Sequence, residues 1–294
     1  MTDAAQTPAP PSDHEAWDIV LRPRTGWFDL HLRDLWRYRD LIVLFVRRDF
    51  VASFKQTILG PAWFIIQPLL TTIVFTIVFG NIAGLSTDRL PKMLFYLSGN
   101  VLWQFFANCL TATSNTFVGN AHLFGKVYFP RLAVPISVVI SQAMKLLLHL
   151  ALFLCFWLYF ALFTPAPVRM NGAVALFPAL AVIMAVLGLG CGIVISSATT
   201  KYRDLQFLVS FGVQLAMYAT TVIYPLSAIK GGGMRLLILA NPMTPIIEAF
   251  RYAFLGAGSF DWAYLAYSAA FALLLLAAGV LVFTKVEKTF MDTV

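Results

Sequence analysis

The sequence predicts an all-α integral membrane protein. It has six transmembrane helices, an N-terminal amphipathic interface helix, and two short re-entrant outer helices between spans five and six. Three observations lead there. Of the 294 residues, 60% are hydrophobic and 12% charged, about half the charge of a soluble domain. The mean hydropathy is +0.78. Six apolar segments, near 62–83, 93–118, 133–163, 172–198, 205–228 and 262–284, are long enough for the ~30 Å hydrocarbon core.

The chain begins "MTDAAQTPAPPSD", polar and rich in proline, so residues 1–20 read as a disordered tail without a signal-peptide core. Residues 21–61 form a cytoplasmic region built on "WFDLHLRDLWRYRDLIVLFVRRDF" (27–50). There Phe28, Leu32, Leu35 and Trp36 share one helical face beside Arg33, Asp34 and Arg37, as in a helix lying in the membrane interface. Residues 62–294 form the transmembrane domain. Lys and Arg orient it: fourteen fall on the side of the termini, six on the other, and Lys145 lies inside the third segment. The excess places both termini in the cytoplasm. The net charge of +7 is then loop charge facing anionic lipid, and nucleic acid is excluded as a partner. Cys109, Cys155 and Cys191 are scattered through apolar stretches and read as free buried thiols.

The connections are as informative as the spans. The 119–132 loop holds "NAHLFGKVYFPR", a short basic turn stiffened by proline. Tyr128 and Phe129 are aromatic anchors of the kind that dominate interfaces, Pro130 limits flexing, and Lys126 and Arg131 can pair with acids. The alternative is a positive-inside topology signal ending in a helix-breaking proline. The 229–261 segment is moderately apolar but broken at Asn241-Pro242 and Pro245. Two short helices dipping into the outer leaflet fit it, because such backbone is tolerated where protein or a water-filled cavity shields it. Glu248 and Arg251 there lie at i, i+3 and can pair.

Polar residues inside spans are candidates for function. Asn100, Gln104, Asn108, Thr111 and Asn115 on the second span fall within an arc of about 80° at helical period. They either line a path or hydrogen-bond a neighbouring helix. Phe207, Phe211, Gln214, Tyr218 and Thr221 share one face of the fifth span in the same way. Amides and hydroxyls suit sugar hydroxyls, and ring faces suit sugar C–H groups, so the two stripes favour a neutral, hydroxyl-rich cargo. Lys145 and His149 lie one turn apart on the over-long third span, where Lys145 either snorkels to the interface or marks a site. No catalytic motif is found: there is no phosphate loop, no G-x-S-x-G, no His pair at metal spacing, and "LSGN" (97–100) lies inside a span. Intramembrane acids are nearly absent, which argues against proton or sodium coupling. No catalytic or metal site and no cofactor is therefore expected in this chain.

A set of motifs carries a resemblance. They are "LWRYRDL" (35–41), "RRDF" (47–50), "KQTILGPAW" with its "QP" (55–68), "FG" (79–80), "GKVYFPRLAVP" (125–135), "KYRDLQF" (201–207), "VIYP" (222–225), "NPM" (241–243) and "FRYAFLG" (250–256). In order and spacing, from about residue 20 to 285, the chain resembles the permease subunits of ATP-binding-cassette polysaccharide exporters, above all the O-antigen (lipopolysaccharide) export type. It departs from them at "VASFKQT", where a basic-aromatic run is usual.

The resemblance implies a homodimer in the bacterial inner membrane with two separate ATPase subunits, which hold the ATP and Mg. It implies that the 120–131 turn is the coupling helix and that Tyr202, Arg203 and Asp204 form a second ATPase contact. The cargo it implies is a polysaccharide on polyprenyl diphosphate. The pore would lie between subunits, lined by spans one, two and five, adding Trp63, Trp103 and Tyr224 to the lining. The outer helices would cap the exit. The rivals are a drug or lipid exporter of the same architecture, a membrane-embedded glycosyl- or acyltransferase, and a subunit with no pore.

Overall fold

A computed structural model describes residues 32–120, 129–164, 168–199, 202 and 204–290. The proposed tail (1–20), Phe28, Lys126, Tyr128 and Arg203 lie outside the described residues. Every regular element among the described residues is helical.

Four stretches are long and apolar enough to cross a membrane: Gly60–Ile82, Ala133–Phe163, Gly172–Thr199 and Trp262–Lys285. They coincide with the expected first, third, fourth and sixth spans. The first comprises α3 (Trp63–Phe75) and a π-helical continuation, Thr76–Ile82. Pro68 lies inside α3, where its ring removes one ladder donor. One turn on, the Thr72 hydroxyl donates to the Pro68 carbonyl at 2.7 Å.

The expected second span is α4 (Lys92–Ser114). Its 23 residues rise about 35 Å, but its polar stripe lowers its hydropathy. It is followed by the single turn α5 (Thr116–Gly119). The expected fifth span is shorter than the sequence suggests. Helix α8 (Leu205–Tyr218) stops well before residue 228. Its terminal carbonyls find partners from elsewhere, so no further helical turn is required. Asn241 donates to the Ala219 carbonyl at 3.1 Å, and the Tyr224 hydroxyl donates to the Tyr218 carbonyl at 3.0 Å.

Helix α7 (Phe177–Thr199) is the hub, packed against both α4 and α11 (Trp262–Phe290). Glycine makes this possible on two faces. A Cβ at Gly192 would lie 2.5 Å from Cβ of Thr113 on α4, and one at Gly188 would lie 2.7 Å from Cβ of Cys109. On the other face, a Cβ at Gly190 would lie 2.9 Å from the Leu276 backbone nitrogen. Small residues let helices approach closely where lipid supplies no hydrophobic drive.

Helix α6 (Ala133–Phe163) packs along α4 and along α2 (Arg39–Ala52), which follows the short α1 (Leu32–Arg37). The α2 contact is built on Phe45, whose ring meets Phe129 edge-on at 5.7 Å, and on Ser141, whose hydroxyl donates to the Val46 carbonyl at 3.3 Å. Trp36, Val43 and Leu44 stay exposed, leaving an apolar face uncovered, as an interfacial helix has.

The 229–261 segment folds as two short helices, α9 (Gly232–Leu239) and α10 (Met243–Leu255). Asn241 turns the chain into α10, its side-chain oxygen accepting from the Met243 N–H at 3.0 Å. The chain turns away through Gly256 and Gly258 at φ +68° and +107°, backbone that glycine adopts without strain. All three cysteines are free; Cys109 is buried as expected, but Cys155 is exposed on α6.

Candidate functional site

The polar stripe of α4 divides at Asn100. That residue is 0% exposed, and its amide donates to the Pro68 carbonyl at 3.2 Å and to the Thr72 hydroxyl at 3.3 Å. Through these bonds Asn100 joins α4 to α3. Gln104, Asn108, Thr111 and Asn115 continue the same face into a cavity of about 290 Å³. Phe64, Gln67 and Pro68 of α3 form its second wall, and Gln142, Lys145 and His149 of α6 its third. The α6 trio is spaced i, i+3, i+7, one face of a helix.

The cavity mixes polar and apolar lining. Among the described residues, Lys145 is the one charged residue lining it, with its ammonium 5.2 Å from the Phe64 ring centre, within cation–π range. Two buried polar atoms at this site have no hydrogen-bond partner, Gln142 Oε1 and His149 Nδ1, although His149 is only 6% exposed. Buried polar atoms are ordinarily paired.

The remaining expected lining residues are placed differently. Trp103 is 3% exposed and packs on Phe106, ring centres 5.5 Å apart, so it belongs to the core. Trp63 at the start of α3 is exposed. Phe207, at 81%, leads an exposed face of α8 with Phe211, Gln214 and Tyr218. Thr221 lies past the helix end and is buried. Tyr224 joins Tyr218, Met234 and Asn241 around a separate cavity of about 580 Å³. Neither of these two cavities is lined by residues of both stripes.

Glu248 and Arg251 form a buried pair, 3.5 Å apart, on α10. The pair is one strand of a larger knot. Arg251 is 1% exposed, and its guanidinium donates to the carbonyls of Thr221 (2.5 Å) and Val222 (3.0 Å) and to the Ser98 hydroxyl (3.2 Å). It also lies 3.7 Å from the Phe95 ring centre. The second Glu248 oxygen accepts from the Ser259 N–H at 3.1 Å. Burial pulls the Arg251 guanidinium down to about 10, against the attraction of Glu248, so it is charged at neutral pH. The knot ties α4, the segment after α8, and α10 together. Gly99 leaves room for it: a Cβ there would lie 2.9 Å from Nη2 of Arg251.

Of the turn and loop residues, Phe129 and Pro130 are buried and Arg131 is half-buried, while Tyr202 and Asp204 are exposed. Phe129 packs towards Phe45 of α2, which ties the turn to the N-terminal helix. Among the described residues, no group of three acidic, His or Cys side chains is placed to hold a metal.

In the sequence Gln67 stands out only as part of a family motif and Gln142 not at all, and Lys145 and His149 lie on a different span from the stripe. The signal for the α6 trio was present in its i, i+3, i+7 spacing. Nothing in the spacing tells that α3 and α4 supply the facing walls.

Two proteins of Klebsiella pneumoniae, each an O-antigen export system permease protein RfbA, are 25% identical over 253 residues, 86% of this chain and 94% of theirs. The O-antigen export system permease protein RfbA of Myxococcus xanthus is 28% identical over 224 residues, 76% of this chain and 83% of its own. The ABC-2 type transporter family matches residues 40–255. With its long apolar helices, this chain is a multi-pass membrane protein that belongs to the ABC-2 type transporter family.

Proposed function

We propose that this chain is the permease subunit of an ATP-driven exporter that moves a lipid-linked, O-antigen-like polysaccharide across the bacterial inner membrane. The observation that carries the reading is the family match over 40–255, joined to relatives named as O-antigen export permeases along most of the chain. In this reading the chain is a homodimer with both termini in the cytoplasm. Helices α4 and α8 complete a set of six spans, and α9 and α10 are the re-entrant outer pair. The domain limits stay at 1–20 for the tail, 21–61 for the interface region and 62–294 for the spans.

ATP and Mg belong to two copies of a separate ATPase subunit, and this chain holds no cofactor and performs no catalysis. Lys126, Tyr128 and Arg131 contact the ATPase, with Tyr202, Arg203 and Asp204 as the second contact. Phe129, packed on Phe45 of α2, and Pro130 belong to the same contact region. The glycan path runs between subunits along the exposed α8 face (Phe207, Phe211, Gln214, Tyr218), with Trp63 and Tyr224 beside it. Gln104, Asn108, Thr111 and Asn115 receive cargo in the cavity between α3, α4 and α6. The arrangement fits a glycan because amides, hydroxyls and ring faces can follow a chain of hydroxyl groups without holding it tightly. Glu248 and Arg251 hold the outer cap in place.

Reconstitution tests the reading. The chain and its ATPase, placed in vesicles with lipid-linked glycan, should move the glycan to the opposite leaflet only with ATP, as read by protection from a glycan-cleaving enzyme. Transport of a lipid or drug but not the glycan would replace it with the other exporter reading. Tyr128→Ala should reduce ATPase co-purification, and binding at the wild-type level would remove the turn from the coupling contact.

A further inference from the structure

The cavity between α3, α4 and α6 has a chemistry more specific than a smooth path for sugar requires. Among the described residues its one charge is an ammonium, and no acid lines it. The acid that acts on Lys145 from outside is Asp49, already held by Arg48 at 2.8 Å. A cation in such a place is left to find an anion. Around it stand hydrogen-bonding groups of the other polarity. Gln142 Oε1 and His149 Nδ1 are buried acceptors without donors among the described residues.

An anion alone would satisfy Lys145 and leave both acceptors orphaned. A neutral sugar would satisfy the acceptors and leave the ammonium unanswered. A ligand with a phosphate and hydroxyl groups close to it answers all three. Position points the same way. Ser141, next to Gln142, is bonded to the Val46 carbonyl of α2. The site therefore sits beside the helix whose apolar face suits a membrane interface, the level at which lipid phosphates lie. At about 290 Å³ the space is of the size of a small ligand pocket, the lower end of the ~300–1,000 Å³ range.

We propose that this cavity binds the head of a lipid in which a phosphate ester carries neighbouring hydroxyl groups, with Lys145 on the phosphate and Gln142 and His149 on the hydroxyls. Two sources share that chemistry. One is the sugar-diphosphate end of a lipid-linked glycan, which rests on the export reading above. The other is a hydroxyl-bearing anionic phospholipid, which does not. Arg251 offers no such vacant cation, because its guanidinium donors already have partners.

The test is native mass spectrometry of the full-length chain, titrated separately with a polyprenyl-diphosphate-linked N-acetylhexosamine and with phosphatidylglycerol. Phosphatidylcholine is the control. The wild type should retain one of the two anionic probes over the control. Lys145→Met should weaken that probe about tenfold or more, the size of one charge-assisted hydrogen bond, and Lys145→Arg should restore most of it. Gln142→Leu should weaken it a few-fold without altering any charge, which keeps the test valid if Lys145→Met fails to fold.

Selective loss of the diphosphate probe assigns the site to the cargo end. Selective loss of phosphatidylglycerol assigns it to a resident phospholipid, a result that stands even if the chain exports no glycan. Retention of neither probe by the wild type, or equal retention by the wild type, Lys145→Met and Gln142→Leu, overturns the proposal.

Discussion

Arg251 and Lys145 are both basic residues enclosed among apolar helices, yet their surroundings are opposite. Arg251 donates to two carbonyls and a hydroxyl, pairs with Glu248, and covers the Phe95 ring. Lys145 faces a cavity in which neighbouring acceptors lack donors. A guanidinium has five donors in a fixed fork and can stitch several carbonyls at once, whereas an ammonium is a compact point charge. The first arrangement fixes backbone that has left the helical ladder after α8. The second leaves room for something that arrives. A basic side chain thus marks structure in one place and a site in the other, and the partners of the charged group itself separate them.

Four substitutions sharpen this contrast. The largest effect is expected at the knot. Arg251→Met removes one member of a buried charged pair, at a cost of about 3–5 kcal/mol, and should sharply reduce folded protein in membranes. Wild-type abundance and thermal stability in detergent would show the knot to be dispensable. Gly99→Ala should cost about 1–3 kcal/mol by overpacking, because its new methyl meets Arg251 Nη2 at 2.9 Å and the Val222 carbonyl at 3.0 Å. A melting temperature equal to wild type would contradict that packing.

The stripe on α4 offers a finer division. Asn100→Leu should lower stability by about 0.6–1.7 kcal/mol, the range of interhelical hydrogen bonds in membranes, since its amide bonds α3. Asn108→Leu, two turns along the same face, should leave abundance and melting unchanged and lower glycan export. Should both behave alike in the two assays, the division of the stripe at Asn100 fails.

Much of this was legible in the sequence, for reasons that particular residues illustrate. The four most apolar spans follow from length and hydropathy alone, and the Glu248–Arg251 pair follows from i, i+3 spacing. Helical period also collected the α4 stripe correctly. Period cannot say which residues of a stripe meet a neighbour, so Asn100 and Asn108 looked equivalent until Pro68 of α3 was placed beside Asn100. Trp103 looked like a pore aromatic because its neighbours are polar, but its ring turns into the core. The end of α8 was misplaced because its stop signal is not local. The carbonyls of Ala219, Thr221 and Val222 are satisfied by Asn241 and Arg251, more than twenty residues further along the chain. For the same reason, no spacing rule brings Gln67 of α3 to the cavity.

The most direct measurement for the account as a whole follows the glycan when this chain is depleted from its host. Surface and intracellular glycan are extracted separately and sized. Export by this permease predicts that long glycan disappears from the surface and accumulates inside on its lipid carrier. Unchanged amounts in both pools would contradict glycan export, and loss from both would point instead to a role in synthesis.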